Sequence, residues 1–136
     1  MPAERSGLLD TNVLILRRRI DHADLPDTMS ISAVTLAELS AGPHHTDDPE
    51  ERSKRLDVLQ RAEAEFDPLP FDTEAARAFG RVVAAVLAAG RRPRGRMTDL
   101  MIASVAVAHR LPIYTTNPAD FAGLDKLLTV VPVSCR

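Results

Sequence analysis

Five residues have types and settings that could serve one polar site: the acids Asp10, Glu38, Asp99 and Asp120, and the amide Asn117. Asp10 closes the apolar run Gly7-Leu8-Leu9, and Glu38 is the only charge in VTLAELSAG, residues 34–42. Asp99 is the only charged residue between Arg96 and His109, at the mouth of an otherwise apolar stretch. Asn117 and Asp120 sit in a polar turn after Pro112 to Thr115. Carboxylates gathered in one place repel, and they stay ionised together only if something positive lies between them. A hard divalent cation such as Mg²⁺ meets that need with oxygen ligands and keeps several waters. Such an ion can activate water and stabilise the leaving oxygen of a phosphodiester, so the set suits hydrolysis of a nucleic acid.

Each residue also has a plainer reading. Asp99 at a helix head can be a cap, Asp10 a turn residue and Glu38 a surface residue. Asn117 followed by Pro118 is also a good helix start, with Asn as cap and Pro in the first helical position. Asp120 would then be a first-turn acid favoured by the helix dipole. What weighs against these readings is that the three acids in comparable apolar settings recur along one chain.

The elements that must position them alternate. Gly7 to Leu9 reads as a short buried strand, followed by a helix from Thr11 to the arginine triplet 17–19 and a loop over 21–28. Met29 to Ser32 is a second strand, then a helix to Ala41 stopped by Gly42-Pro43. His44 to Glu50 is a loop, and a charged helix runs from about Pro49 to Glu65. FDPLPF, residues 66–71, alternates in a way that suits an edge strand. Asp72 or Thr73 caps a helix to Ala89, Gly90 ends it, and an arginine-rich loop 91–96 leads to the Asp99 helix. Pro112 to Thr115 is a strand, 123–128 a helical turn and Thr129 to Val133 a last strand. Strands alternating with helices imply βαβ units and a mostly parallel sheet covered on both faces. Ligands of such sheets sit at the carboxyl ends of the strands, where Asp10, Asn117 and Asp120 fall.

With 136 residues, 45% of them hydrophobic and 26% charged, the chain has the composition of one ordinary globular domain, 1–136. No apolar run approaches the length of a membrane span, and the N-terminus meets an acid before a signal-peptide core could form; cytoplasm is the expected compartment. The lone Cys135 has no partner for an intrachain disulfide. Of the 17 basic residues, all but Lys54 and Lys126 are arginine. Two clusters stand out: Arg17, Arg18 and Arg19, and Arg91, Arg92, Arg94 and Arg96. Each can be a solvated face, but beside an acidic site a basic cluster can guide a phosphate backbone.

Other chemistries lack their motifs. There is no H-E-x-x-H or paired-cysteine spacing for zinc, and His44-His45 has no further ligands nearby in sequence. No glycine-rich phosphate loop and no G-x-S-x-G elbow occurs. LLDTNVL lacks the second Asp of aspartyl phosphatases, because Asn12 stands there.

LLDTNVLI at 8–15, VTLAELSAG at 34–42 and TDLMIASVAVAHRLPIYTTNPADF at 98–121, in this order and spacing, resemble a PIN-domain protein. More narrowly, the chain is similar to toxin ribonucleases of the VapC type, partners of VapB antitoxins. The resemblance implies a three-layer α/β/α sandwich with a mostly parallel four- or five-stranded sheet, and a Mg²⁺- or Mn²⁺-dependent endoribonuclease. On it, Asp10 and Asp99 match the family's metal-binding acids and Glu38 its second acid. The fourth position falls on Asn117, with Asp120 the nearby ionisable candidate. Thr11 and Thr115 or Thr116 match polar positions of the pocket; apart from the resemblance, Arg94 and Arg96 of the basic cluster before Asp99 are candidates to meet substrate. The partners implied are an RNA substrate, a VapB-type antitoxin and a second copy in a homodimer, with no membrane. The alternative is a catalytically silent PIN-like module that binds RNA or protein. Its sign would be the loss of Asp10 or Asp99, and both are present.

Overall fold

Strand β1 (Ser6–Leu9) has three consecutive buried residues, so it needs cover on both faces. Alternate side chains of a strand point to opposite faces, and Leu8 and Leu9 accordingly enter two different cores. In the computed structural model, which describes residues 4–136, β1 is an inner strand of a four-stranded sheet ordered β2-β1-β3-β4. Residues 1–3 of the expected 1–136 domain lie outside the described residues. The other strands are β2 (Thr28–Ser30), β3 (Ile113–Thr115) and β4 (Val130–Pro132). Every pairing is parallel.

The helices divide between the two faces. Helices α1 (Thr11–Ile15), α2 (Ala33–Ala41) and α3 (Pro49–Glu65) supply Val13, Leu14, Leu39 and Ala62 to the core under Leu9. Helices α4 (Thr73–Ala88) and α5 (Met97–His109) supply Val82, Val86, Leu100 and Ile102 to the core under Leu8. This is the α/β/α sandwich that the resemblance implies, and it has the parallel sheet covered on both faces expected from the alternating pattern. Local chemistry sets most helix starts: Ser32, Asp48 and Asp72 each accept a backbone N–H from the first turn. Helix α5 instead ends on Arg110 in the left-handed region, at φ 54°.

One expectation needs correction. FDPLPF is not an edge strand; it makes one parallel bridge, Leu69 to Ser32. Leu69 donates to the Ile31 carbonyl at 2.9 Å and accepts from Ala33 N–H at 2.8 Å. Pro68 and Pro70 flank it without N–H groups, so no ladder can continue. Residues 123–128 make the expected helical turn, with the Leu127 and Leu128 amides both donating to the Leu124 carbonyl. The first helix ends at Ile15 and passes into a 3₁₀ turn at Arg17–Arg19, and the expected loops hold further 3₁₀ turns at His22–Asp24 and Gly42–His45.

Gly7 is where β1 meets the Tyr114 ring. A Cβ there would lie 2.3 Å from Tyr114 Cε1 and 3.2 Å from Pro26 Cγ. Gly7→Ala is therefore expected to destabilise the protein by about 1–3 kcal/mol, read as a lower urea midpoint. An unchanged midpoint would mean that Tyr114 moves off β1 at no cost.

Candidate active site

The carboxyl ends of β1 and β3 meet because Leu9 pairs with Tyr114, and Asp10 N–H donates to the Tyr114 carbonyl at 2.9 Å. The next residues are Asp10 and Thr115. Asp10 is 3% exposed, and both its carboxylate oxygens are engaged. Oδ1 accepts from Thr11 N–H at 2.9 Å, and Oδ2 accepts from Thr115 Oγ1 at 2.8 Å. Asp10 is thus the N-cap of α1 as well as a buried acid. Burial raises its pKa, the Thr115 and Thr11 bonds oppose that rise, and Glu38 and Asp120 add to it.

Asp99 lies half-buried in the first turn of α5. It is not the cap: Arg96 holds that position and makes no side-chain capping bond. Burial, then the charges of Asp120, Asp10 and Glu38, push its pKa up to about 6, against the pull of Arg96. Asp10 and Asp99 therefore both feel the charges of Glu38 and Asp120. Glu38 comes from α2 and is an exposed residue. Thr11 Oγ1 donates to Glu38 Oε1 at 2.6 Å and lies 3.0 Å from Thr35 Oγ1.

The turn after β3 separates the two candidates for the fourth position. Asp120 is half-buried and acts electrostatically on both Asp10 and Asp99. Asn117 is exposed, and its side chain does not cap the 3₁₀ turn Pro118–Phe121. Its backbone N–H is taken by Thr115 Oγ1 at 3.0 Å. Thr116 contributes its N–H, which donates to Asn12 Oδ1 at 3.2 Å. Arg96 is half-buried, with Nη1 donating to the Asp120 carbonyl at 3.4 Å, whereas Arg94 is exposed.

Asn12, Ser32 and Thr35 escaped the sequence reading. Asn12 ties α1 to the turn after β3, donating from Nδ2 to Thr115 Oγ1 at 3.4 Å. Its only sequence signal is its place in the first turn after Asp10. The Arg17–Arg19 cluster does not reach the crevice: Arg17 pairs with Glu65 and stacks on Phe66, Arg18 is 4.0 Å from Asp57, and Arg19 bonds the Arg136 carbonyl. His44, His45 and Cys135 are exposed.

Among the described residues, no three His, Cys, Asp or Glu side chains close into a ready-made metal cage. Mg²⁺ in general is held by one or two carboxylates and keeps several waters. The uncompensated charge around buried Asp10 and half-buried Asp99 is what such a cation would neutralise. Beside the crevice, two open grooves of about 570 and 430 Å³ share Ile15, Lys54 and Val58; the smaller is lined by Thr11 and Glu38 as well.

Fold and site together define an α/β/α protein with a parallel sheet and an acidic crevice at its strand ends. The chain belongs to the PIN-domain family, whose model matches residues 7–127. It is 38% identical over 128 residues to Ribonuclease VapC5 of Mycobacterium tuberculosis, covering 92% of each chain. It is also 38% identical over 101 residues to Ribonuclease VapC8 of the same species, covering 74% of this chain and 89% of that one. Its structure matches the crystal structure of VapBC-5 from Mycobacterium tuberculosis, a member of the VapBC family of toxin–antitoxin systems. The TM-score is 0.80 at 38% identity, over 92% of this chain and 94% of that one.

The raised pKa of Asp99 has a consequence for the metal-free protein. An acid whose folded pKa lies above its unfolded value contributes stability below the unfolded pKa, and that stability is lost as pH rises through the folded one. For Asp99 the window runs from its ordinary value of 3.8 to about 6. Asp99→Asn should therefore melt a few degrees higher than wild type at pH 7 in EDTA, with the difference gone near pH 4. Equal melting temperatures at pH 7 would show that Asp99 is not held against repulsion.

Proposed function

We propose that this protein is a metal-dependent endoribonuclease, the toxin of a toxin–antitoxin pair, which cuts cellular RNA and is neutralised by a VapB-type antitoxin. The observation that carries the reading is the buried Asp10 at the end of β1, sharing one crevice with Asp99, Glu38 and Asp120. The relatives' names, ribonucleases and a toxin–antitoxin complex, support the substrate and the partner.

Asp10 and Asp99 would hold Mg²⁺, with Mn²⁺ as an equivalent. When bound, the ion neutralises the crevice, lowers the pKa of a water and offsets charge on the phosphate oxygens. Asp10 is fixed by its two hydrogen bonds and so keeps both oxygens oriented without reorganisation. Glu38 has Oε1 held by Thr11, which leaves Oε2 to orient water and accept its proton. Hydrolysis then adds that water's oxygen to phosphorus and breaks the phosphodiester P–O bond, and the leaving oxygen takes a proton from solvent to depart as the hydroxyl of the second RNA fragment. Asp120 supplies the fourth negative charge, and Asn117 sits exposed at the mouth, where it can meet substrate. Arg94 and Arg96 face the phosphate backbone as forked donors.

The antitoxin lays an apolar face along the grooves that flank Ile15, which is 56% exposed. A basic group on that segment reaches toward Glu38 and closes the crevice to RNA. The toxin itself acts as a homodimer.

Cleavage of total RNA by antitoxin-free protein, measured across a Mg²⁺ titration, tests this reading. Wild type should cleave only with metal, and Asp99→Asn should fold and lose about 100-fold or more. Asp120→Ala should lose rate and need more Mg²⁺, while Asn117→Ala should lose less and keep the wild-type metal dependence. Full cleavage by folded Asp99→Asn, or by wild type in EDTA, would contradict the assignment.

A further inference from the structure

We propose that Thr35, which is fully buried, is a positioning residue for Glu38, acting through the hydroxyl of Thr11. What Glu38 does for the reaction rests on the ribonuclease reading; the hydroxyl arrangement does not.

A solvent-exposed glutamate samples many rotamers, and holding it in one is entropically unfavourable. Glu38 is pinned by a single short contact, 2.6 Å from Thr11 Oγ1. A carboxylate only accepts, and a hydroxyl has one proton. The Thr11 proton must therefore point at Glu38 Oε1. The 3.0 Å contact between Thr11 and Thr35 oxygens can then be a hydrogen bond only if Thr35 supplies the proton. Thr35 Oγ1 in turn accepts from Ser32 Oγ, 3.3 Å away. Ser32 Oγ accepts the Thr35 N–H at 3.0 Å as the cap of α2.

Donor counting thus gives the chain one direction, from Ser32 through Thr35 and Thr11 to Glu38. Ser32 and Thr35 are fully buried and Thr11 is 9% exposed, so water does not compete for these protons. Bonds aligned head to tail in a dry setting polarise one another. Thr35 and Glu38 are three residues apart on one face of α2, and Thr11 follows Asp10. The chain therefore holds the acid of α2 in register with the acid at the end of β1.

Two variants of the full-length, antitoxin-free protein separate the proton from the packing. Thr35→Val keeps the shape and removes the proton; Thr35→Ser keeps the proton and removes a methyl. Thr35→Val should cleave RNA about tenfold more slowly at equal Mg²⁺, and Thr35→Ser should stay near wild type. In metal-free wild type, the Thr11 and Thr35 hydroxyl protons should exchange slowly enough to be seen by NMR. In Thr35→Val the Thr11 hydroxyl signal should vanish while the amide spectrum persists. Full activity with a protected Thr11 proton in Thr35→Val would overturn the proposal, as would an equal loss in Thr35→Ser. Unprotected hydroxyl protons in wild type would overturn it even if Thr35→Val failed to fold. Absence of cleavage in every form, with protected hydroxyls, would instead count against the ribonuclease reading alone.

Discussion

A carboxylate buried at the end of an inner strand is unfavourable unless its surroundings hold it, and the rest of this structure follows from holding Asp10. Desolvation opposes its charge, and nearby acids oppose it further. The backbone N–H of Thr11 and the hydroxyl of Thr115 offset part of that penalty. Both come from the segments that flank Asp10: one opens α1, and the other closes β3. The acid is therefore tied into the fold at the point where two parallel strands end.

The parallel topology makes this arrangement inexpensive to build. Parallel strands all deliver their carboxyl ends to one edge, so successive turns place polar groups together without special loops. β1 contributes Asp10 and β3 contributes the turn bearing Asn117 and Asp120, while α5 returns to that edge with Asp99 in its first turn. Asn12 then locks one turn to the other through Thr115 and Thr116. The resulting crevice has negative charge in excess and Arg96 as the cation that counters Asp99. Such a site is a poor place for four free carboxylates and a good one for a divalent ion.

Much of this could be read from residue types because the acids are exceptions in apolar surroundings. Asp10 ends a buried strand, and Glu38 and Asp99 are lone charges on apolar helices, so their settings marked them. Ser32, Thr35 and Asn12 carried no such mark: small polar residues near helix starts are common, and their partners lie on other elements. FDPLPF alternates as an edge strand would, but the prolines on both sides of Leu69 leave no N–H to extend its single bridge. Asn117 before Pro118 looked like a cap, yet its side chain makes no capping bond, and Thr115 takes its backbone N–H. The arginine triplet 17–19 could have served phosphate by composition alone. Its ion pair to Glu65 and its bond to the Arg136 carbonyl depend on the packing of α3 and the chain end.

The central claim is that the acids at the strand ends form one divalent-cation site. Paramagnetic line broadening measures this directly: Mn²⁺ is titrated at substoichiometric levels into ¹⁵N-labelled, antitoxin-free protein. The account predicts that the amides of Asp10, Thr11, Asp99 and the turn from Thr116 to Asp120 broaden first and together, and that excess Mg²⁺ restores them. Broadening centred elsewhere, such as at Asp47 and Asp48, or broadening that Mg²⁺ does not reverse, would contradict it.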